Sequence, residues 1–154
     1  MTAGGVTLPP FACIPGKTPR HAPGAFDGLH ATVEPGMSVD ALASSNAFAA
    51  GFSFFDAGYF WEAHEVWEPV WLALPQKSTE RQFVQALIQL ANAELKLRMQ
   101  RPRAARRLCA IALGHLADAG RQGATQIMGQ DVATVGDRIG ECTRRAAEDT
   151  KCVL

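Results

Sequence analysis

The sequence predicts an all-α fold: a single helical-bundle domain of about five helices, preceded by an extended Pro/Gly-rich arm. Three observations carry this. Beyond residue 37, apolar side chains recur at the helical period in segments separated by Gly and Pro. No segment alternates apolar and polar residues as a half-buried strand does. Residues 1–37 hold Pro9, Pro10, Pro15, Pro19, Pro23 and Pro35 among many glycines, so neither helix nor strand can persist there.

The arm nevertheless carries Phe11, Ile14, Phe26, Leu29 and Val33. A disordered tail is poorer in such residues, so the arm is expected to lie over residues 38–154 and dock these side chains. Lys17, Arg20, His21 and His30 can reach a pocket from it, although polar residues of a loop ordinarily stand in solvent. The first helix starts at Ser38, a good N-cap, and runs to about Ala57. Asp56-Ala57-Gly58 is a tight connection. The second helix spans Tyr59 to Leu74, with Pro69 able to kink or shorten it. The third begins at Ser78 or Thr79, with Glu80 near the positive end of its dipole, and runs to about Gln100. Its wide apolar arc leaves Gln85, Gln89, Asn92 and Lys96 as a narrow polar strip, and Glu94 is spaced to pair with Arg98. The fourth opens on Pro102 and continues to about Ala119, turning Leu108, Ile111, Ala112 and Leu116 inward. Arg101, Arg103, Arg106 and Arg107 form its solvated face. A last polar helix covers about Asp131 to Ala147, with Val132, Val135, Ile139 and Cys142 on its inner stripe.

Composition limits the function. The chain has 154 residues, which suits one core, and 47% of them are hydrophobic. Fifteen basic and fifteen acidic residues balance to a net charge of +0. No nucleic-acid partner is expected from that balance, and no aromatic platform accompanies the arginines. No apolar run approaches the roughly 20 residues of a membrane span, and the N-terminus does not read as a secretory signal. A cytoplasmic protein with no membrane partner is the expectation. Cys13, Cys109, Cys142 and Cys152 are scattered, so neither a disulfide framework nor a clustered zinc site is expected.

The densest chemistry lies in Phe60-Trp61-Glu62-Ala63-His64-Glu65-Val66-Trp67-Glu68-Pro69-Val70-Trp71, which holds all three tryptophans. Wound as a helix, Glu68 falls about 40° from His64 and Trp71 about 20° to its other side. Phe60, Trp61 and Trp67 lie within about 60°, which sets His64 and Glu68 inward among rings; Glu62 falls about 160° away on the far side. Two readings follow. In one, His64 and Glu68 bond each other in a polar core network. In the other, they form an acid/base pair or present a nitrogen and an oxygen to one divalent metal. Glu65 is then a second candidate carboxylate, and Gln85, Gln89 and Trp71 are placed to orient water or substrate.

The stretch Phe55-x-x-Gly58-Tyr59-Phe60-x-Glu62-Ala63-His64-Glu65-Val66-x-Glu68-x-x-Trp71 resembles the DUF309 family. So do Gln85-Ala86-Leu87-Ile88-Gln89-Leu90-Ala91 and Pro102-Arg103-Ala104-Ala105-Arg106-Arg107-Leu108. The likeness covers about residues 44–118. It implies a small all-helical domain, mainly prokaryotic, sometimes described as a predicted metal-dependent hydrolase. The matching polar positions are His64, Glu65, Glu68, Gln85 and Gln89. The chain departs from the family pattern at Gln100-Arg101, in place of Gly-Asn, and lacks a His late in the third helix. Two functions of different classes suit these residues. One is a metal-dependent hydrolase with its site between the second and third helices, acting on an unknown small molecule. The other is a non-catalytic module that binds a protein partner or self-associates, its His/Glu cluster being structural.

Overall fold

In a computed structural model that describes residues 2–153 except Gly4, helices account for most of the chain. The arm holds a two-residue ladder, β1 (Thr2–Ala3) with β2 (Val6–Thr7), and a short helix, α1 (Asp27–His30). The body follows as α2 (Val39–Ala43), α3 (Asn46–Asp56), α4 (Phe60–Ala73), α5 (Thr79–Arg98) and α6 (Pro102–Ala119). A second ladder, β3 (Gln126–Ile127) with β4 (Gln130–Asp131), leads into α7 (Val132–Val153). Neither ladder was expected. Two residues are too short to leave an alternation in sequence, and β3–β4 is closed by Met128 and Gly129, both at positive φ. Cys152 is placed within α7, but its side chain lies outside the described residues. Among the described residues no helix is long and apolar enough to cross a membrane.

The helix ends follow local chemistry. Ser38 and Ser78 accept the backbone N–H of Ala41 and Arg81 and start α2 and α5. The expected first helix is two helices. Ser45 caps a new start by accepting from the Phe48 N–H while its hydroxyl donates to the Leu42 carbonyl, so the chain turns at Ser44-Ser45. Gly58, at φ 84°, ends α3 in a left-handed turn, and the Tyr59 N–H returns to the Phe54 carbonyl at 2.8 Å.

Pro69 does not end the helix: α4 continues to Ala73. The proline has no N–H for the carbonyl of Glu65, four residues earlier. His30 of the arm supplies the missing donor, its Nε2 lying 3.1 Å from that oxygen.

The core runs through α2 to α7, around Leu42, Phe48, Phe54, Trp67, Phe83, Leu90, Ala112 and Ile139. The tightest approach is at Gly51. The Trp67 indole crosses the α3 backbone there and donates to the Phe48 carbonyl at 3.1 Å. A Cβ on residue 51 would stand 1.9 Å from the indole nitrogen. Phe52 and Phe55 flank the same indole at 5.0 and 6.2 Å between ring centres.

Two packing expectations are corrected. Glu94 does not pair with Arg98. It is buried and takes the guanidinium fork of Arg145 from α7 on both oxygens, one contact at 2.9 Å, which lifts the Arg145 pKa further. Arg98 instead lies 5.3 Å over the Phe60 ring. Ile111, expected inward, is exposed, because α6 turns Ala105, Cys109, Ala112 and Leu116 to its neighbours. The thiols of Cys109 and Cys142 are buried, and hydrogen bonding between them lowers the Cys109 pKa and, with burial, raises that of Cys142.

Gly51→Ala should cost about 3 kcal/mol in urea unfolding, since the added methyl displaces Trp67 and breaks its hydrogen bond. Gly114→Ala, in open space on α6, should be neutral or stabilising by up to about 1 kcal/mol. His30→Ala should cost about 1 kcal/mol, and less than half of that in a Pro69→Ala background, where a restored N–H reaches the Glu65 carbonyl. Equal costs in both backgrounds would show that His30 does not act through that oxygen.

Candidate functional site

α4 buries Phe60, Glu62, Ala63, Val66, Trp67 and Val70 against the bundle. The opposite arc carries Trp61, His64, Glu65, Glu68 and Leu72, which are half-buried or exposed. This reverses the expected orientation. His64 and Glu68 were expected inward, yet their side chains are 27% and 48% exposed. Glu62, expected on the far side, is wholly buried. The wheel itself was right; its orientation was wrong. The three tryptophans do not mark one buried face. Trp67 alone is sealed, while Trp61 and Trp71 lie at the helix flanks. Trp71 is covered on one face by the Arg81 guanidinium, 4.3 Å from the ring centre.

His64, Glu65 and Glu68 converge on the open arc. Their nearest ligand atoms all lie within 4.8 Å of one another. His64 Nε2 is 3.2 Å from Glu68 Oε2, one helical turn on. Helix geometry puts Glu68 beside His64, and Glu65 joins from the adjoining edge. A divalent ion bound at about 2.0–2.2 Å needs neighbouring ligand atoms about 3 Å apart, so the His64–Glu68 pair has the right separation. The donor set, one imidazole and two carboxylates, suits such an ion, and partial exposure gives it a route in from water.

Gln85 and Gln89 are half-buried on α5, in the strip that the sequence marks out with Asn92 and Lys96. No side-chain hydrogen bond joins either glutamine to His64, Glu65 or Glu68 among the described residues. Of the polar residues on α5 and α6, Gln82 and His115 are the pair brought together, at 2.8 Å.

The polar core network is therefore built around Glu62. Its Oε2 accepts the Cys13 N–H at 2.8 Å and lies 2.6 Å from His21 Nε2. Its Oε1 is buried with no partner among the described residues. His21 was expected in solvent, yet its side chain is only 7% exposed. The ring is packed against Phe11 at 5.2 Å, Phe26 at 5.5 Å and Trp61 at 5.9 Å. The signal available in the sequence was weak: a histidine in the arm with aromatic residues on either side. Elsewhere the arm is held by the Tyr59 hydroxyl, which donates to the Pro9 carbonyl at 2.8 Å, and by Lys17, which donates to the Arg98 carbonyl at 2.8 Å. Arg20 is exposed.

No curated protein and no solved structure matches the chain significantly. Residues 48–108, which span all of α4 and α5 and reach into α6, match the family described as Domain of unknown function (DUF309). That match falls on the motif of α4 and the amide-bearing face of α5.

Proposed function

We propose that the open arc of α4 is a divalent-metal site and that the protein is a metal-dependent hydrolase of the DUF309 type. Residues 38–154 form the functional body, and residues 1–37 form an arm packed on it. The observation that carries the reading is the convergence of His64, Glu65 and Glu68 on one accessible face. His64 and Glu68 would hold the ion, and Glu65 would reach it after a side-chain rotation or act as a proton acceptor beside it. Three protein groups at most leave room for a substrate, as catalytic sites require. A bound ion would supply Lewis acidity, polarising an ester or phosphoryl oxygen and making nearby water more acidic. Without it, the helix supplies position: His64 and Glu68 share a turn, so their separation is set by the backbone. Glu65 is further fixed because His30 holds its carbonyl. Gln85, Gln89 and Trp71 remain the candidates for orienting a substrate.

A second reading rests on a different observation. Leu72 is 59% exposed on the same arc, and Leu113 is 54% exposed on α6. Such side chains suit an interaction or self-association module in which His64 and Glu68 are an ordinary surface pair.

Protein purified without a His tag and titrated with zinc, manganese or nickel should gain about 5–10 °C in melting temperature near a hundredfold excess over Kd. His64→Ala and Glu68→Ala should each remove most of the gain. Less than about a tenth of an equivalent of metal on purification, with no thermal response, would sink the metal reading. A concentration-dependent dimer under those conditions would favour the second.

A further inference from the structure

Beside the buried His21–Glu62 pair lies a cavity of about 790 Å³ between the arm and α3. None of His64, Glu65 and Glu68 lines it. Its volume is in the range that accepts a small organic molecule. The walls are mainly aliphatic and aromatic, including Leu8, Phe26, Leu29, Ala50 and Phe54. His21 is the one titratable side chain among the described lining residues; no lysine, arginine or carboxylate joins it.

The imidazole is a built feature. Rings of Phe11, Phe26 and Trp61 hold its plane, and Glu62 holds one edge. Glu62 Oε2 already accepts the Cys13 N–H, so as an acceptor toward the ring it draws the imidazole proton to Nε2. In the neutral ring that donates Nε2–H to Glu62, Nδ1 carries a lone pair, and no hydrogen bond from the described residues reaches it. Thr7 and Asn46 also line the cleft, and both are exposed; His21 Nδ1 is the acceptor held in place among the packed rings, so it selects a ligand by one donor. An anion finds no cation on the wall and meets the charge of Glu62 behind the ring.

We propose that this cleft binds a small, uncharged, mainly apolar molecule bearing one hydroxyl, which donates its hydrogen to His21 Nδ1. The site is independent of the metal reading: it is lined by the arm and α3, and none of His64, Glu65 and Glu68 takes part in it.

The test is a calorimetric titration of the full chain with 2-naphthol, naphthalene and 2-naphthoate, with the imidazole nitrogens of His21 followed by NMR. 2-Naphthol should bind one to one, shift the Nδ1 resonance, and bind about five- to tenfold tighter than naphthalene, the worth of one hydrogen bond. His21→Phe keeps the aromatic packing and should bring the two affinities together. If that variant fails to fold, because Glu62 loses its partner, Ala25→Trp decides instead. It fills the cleft from an exposed lining position, leaves the His21–Glu62 pair intact, and should abolish binding of 2-naphthol. The proposal is overturned by any of four results: no saturable binding of 2-naphthol, equal affinity for naphthalene, tighter binding of 2-naphthoate, or binding that survives Ala25→Trp.

Discussion

A carboxylate removed from water must be met by donors, and Glu62 is the point at which this chain meets that demand. It sits in the first turn of α4, wholly buried, where the positive end of the helix favours its charge. No side chain of α3 or α5 bonds it. The donors come from the arm: the backbone of Cys13 and the ring of His21. An unpaired charge there would cost several kcal/mol, so the arm is part of the folded unit despite its proline and glycine content. The same contact seats Phe11, Phe26 and Trp61 around the imidazole and forms one wall of the large cavity.

A second dependence runs along the same helix. Pro69 removes a backbone donor from the middle of α4, and His30 replaces it. The open face of α4 with His64, Glu65 and Glu68 is thus braced from the arm as well as from the bundle. Below, Trp67 locks α4 onto α3 through the space that Gly51 leaves. One fourteen-residue helix therefore presents a sealed face for packing, a buried carboxylate that holds the arm, and an open arc on which His64, Glu65 and Glu68 converge.

Much of this was legible in residue order. Caps at Ser38 and Ser78, the glycine stop at Gly58, the start at Pro102 and the inner stripe of α7 are local, decided by dihedral preferences and hydrogen bonds within a few residues. The half-buried strip of Gln85, Gln89, Asn92 and Lys96 was also readable, because helical periodicity groups residues that share an environment. What failed was the assignment of environment to α4. Nearly every position on that helix is either aromatic, aliphatic or ionisable, so the wheel has no clear polar side. Aromatic side chains drew the inferred core toward His64, whereas the actual partners are the small and branched residues Ala63, Val66 and Val70 with Trp67. The serine break inside the first helix was missed for a related reason: Ser44-Ser45 suits a helix interior poorly, but only the cap geometry shows that the chain turns there.

The sequence by itself determined the helical class, most helix ends, the arm, and the set of residues able to do chemistry, since these depend on local backbone preference and periodicity. Tertiary structure alone decided which carboxylate is buried and which are open, that Glu94 reaches Arg145 across fifty-one positions, and that His21 and His30 leave solvent to serve α4. Those outcomes depend on which faces meet when distant segments pack. A helix wheel records neighbours on one cylinder; it carries no information about the donors that another part of the chain will bring.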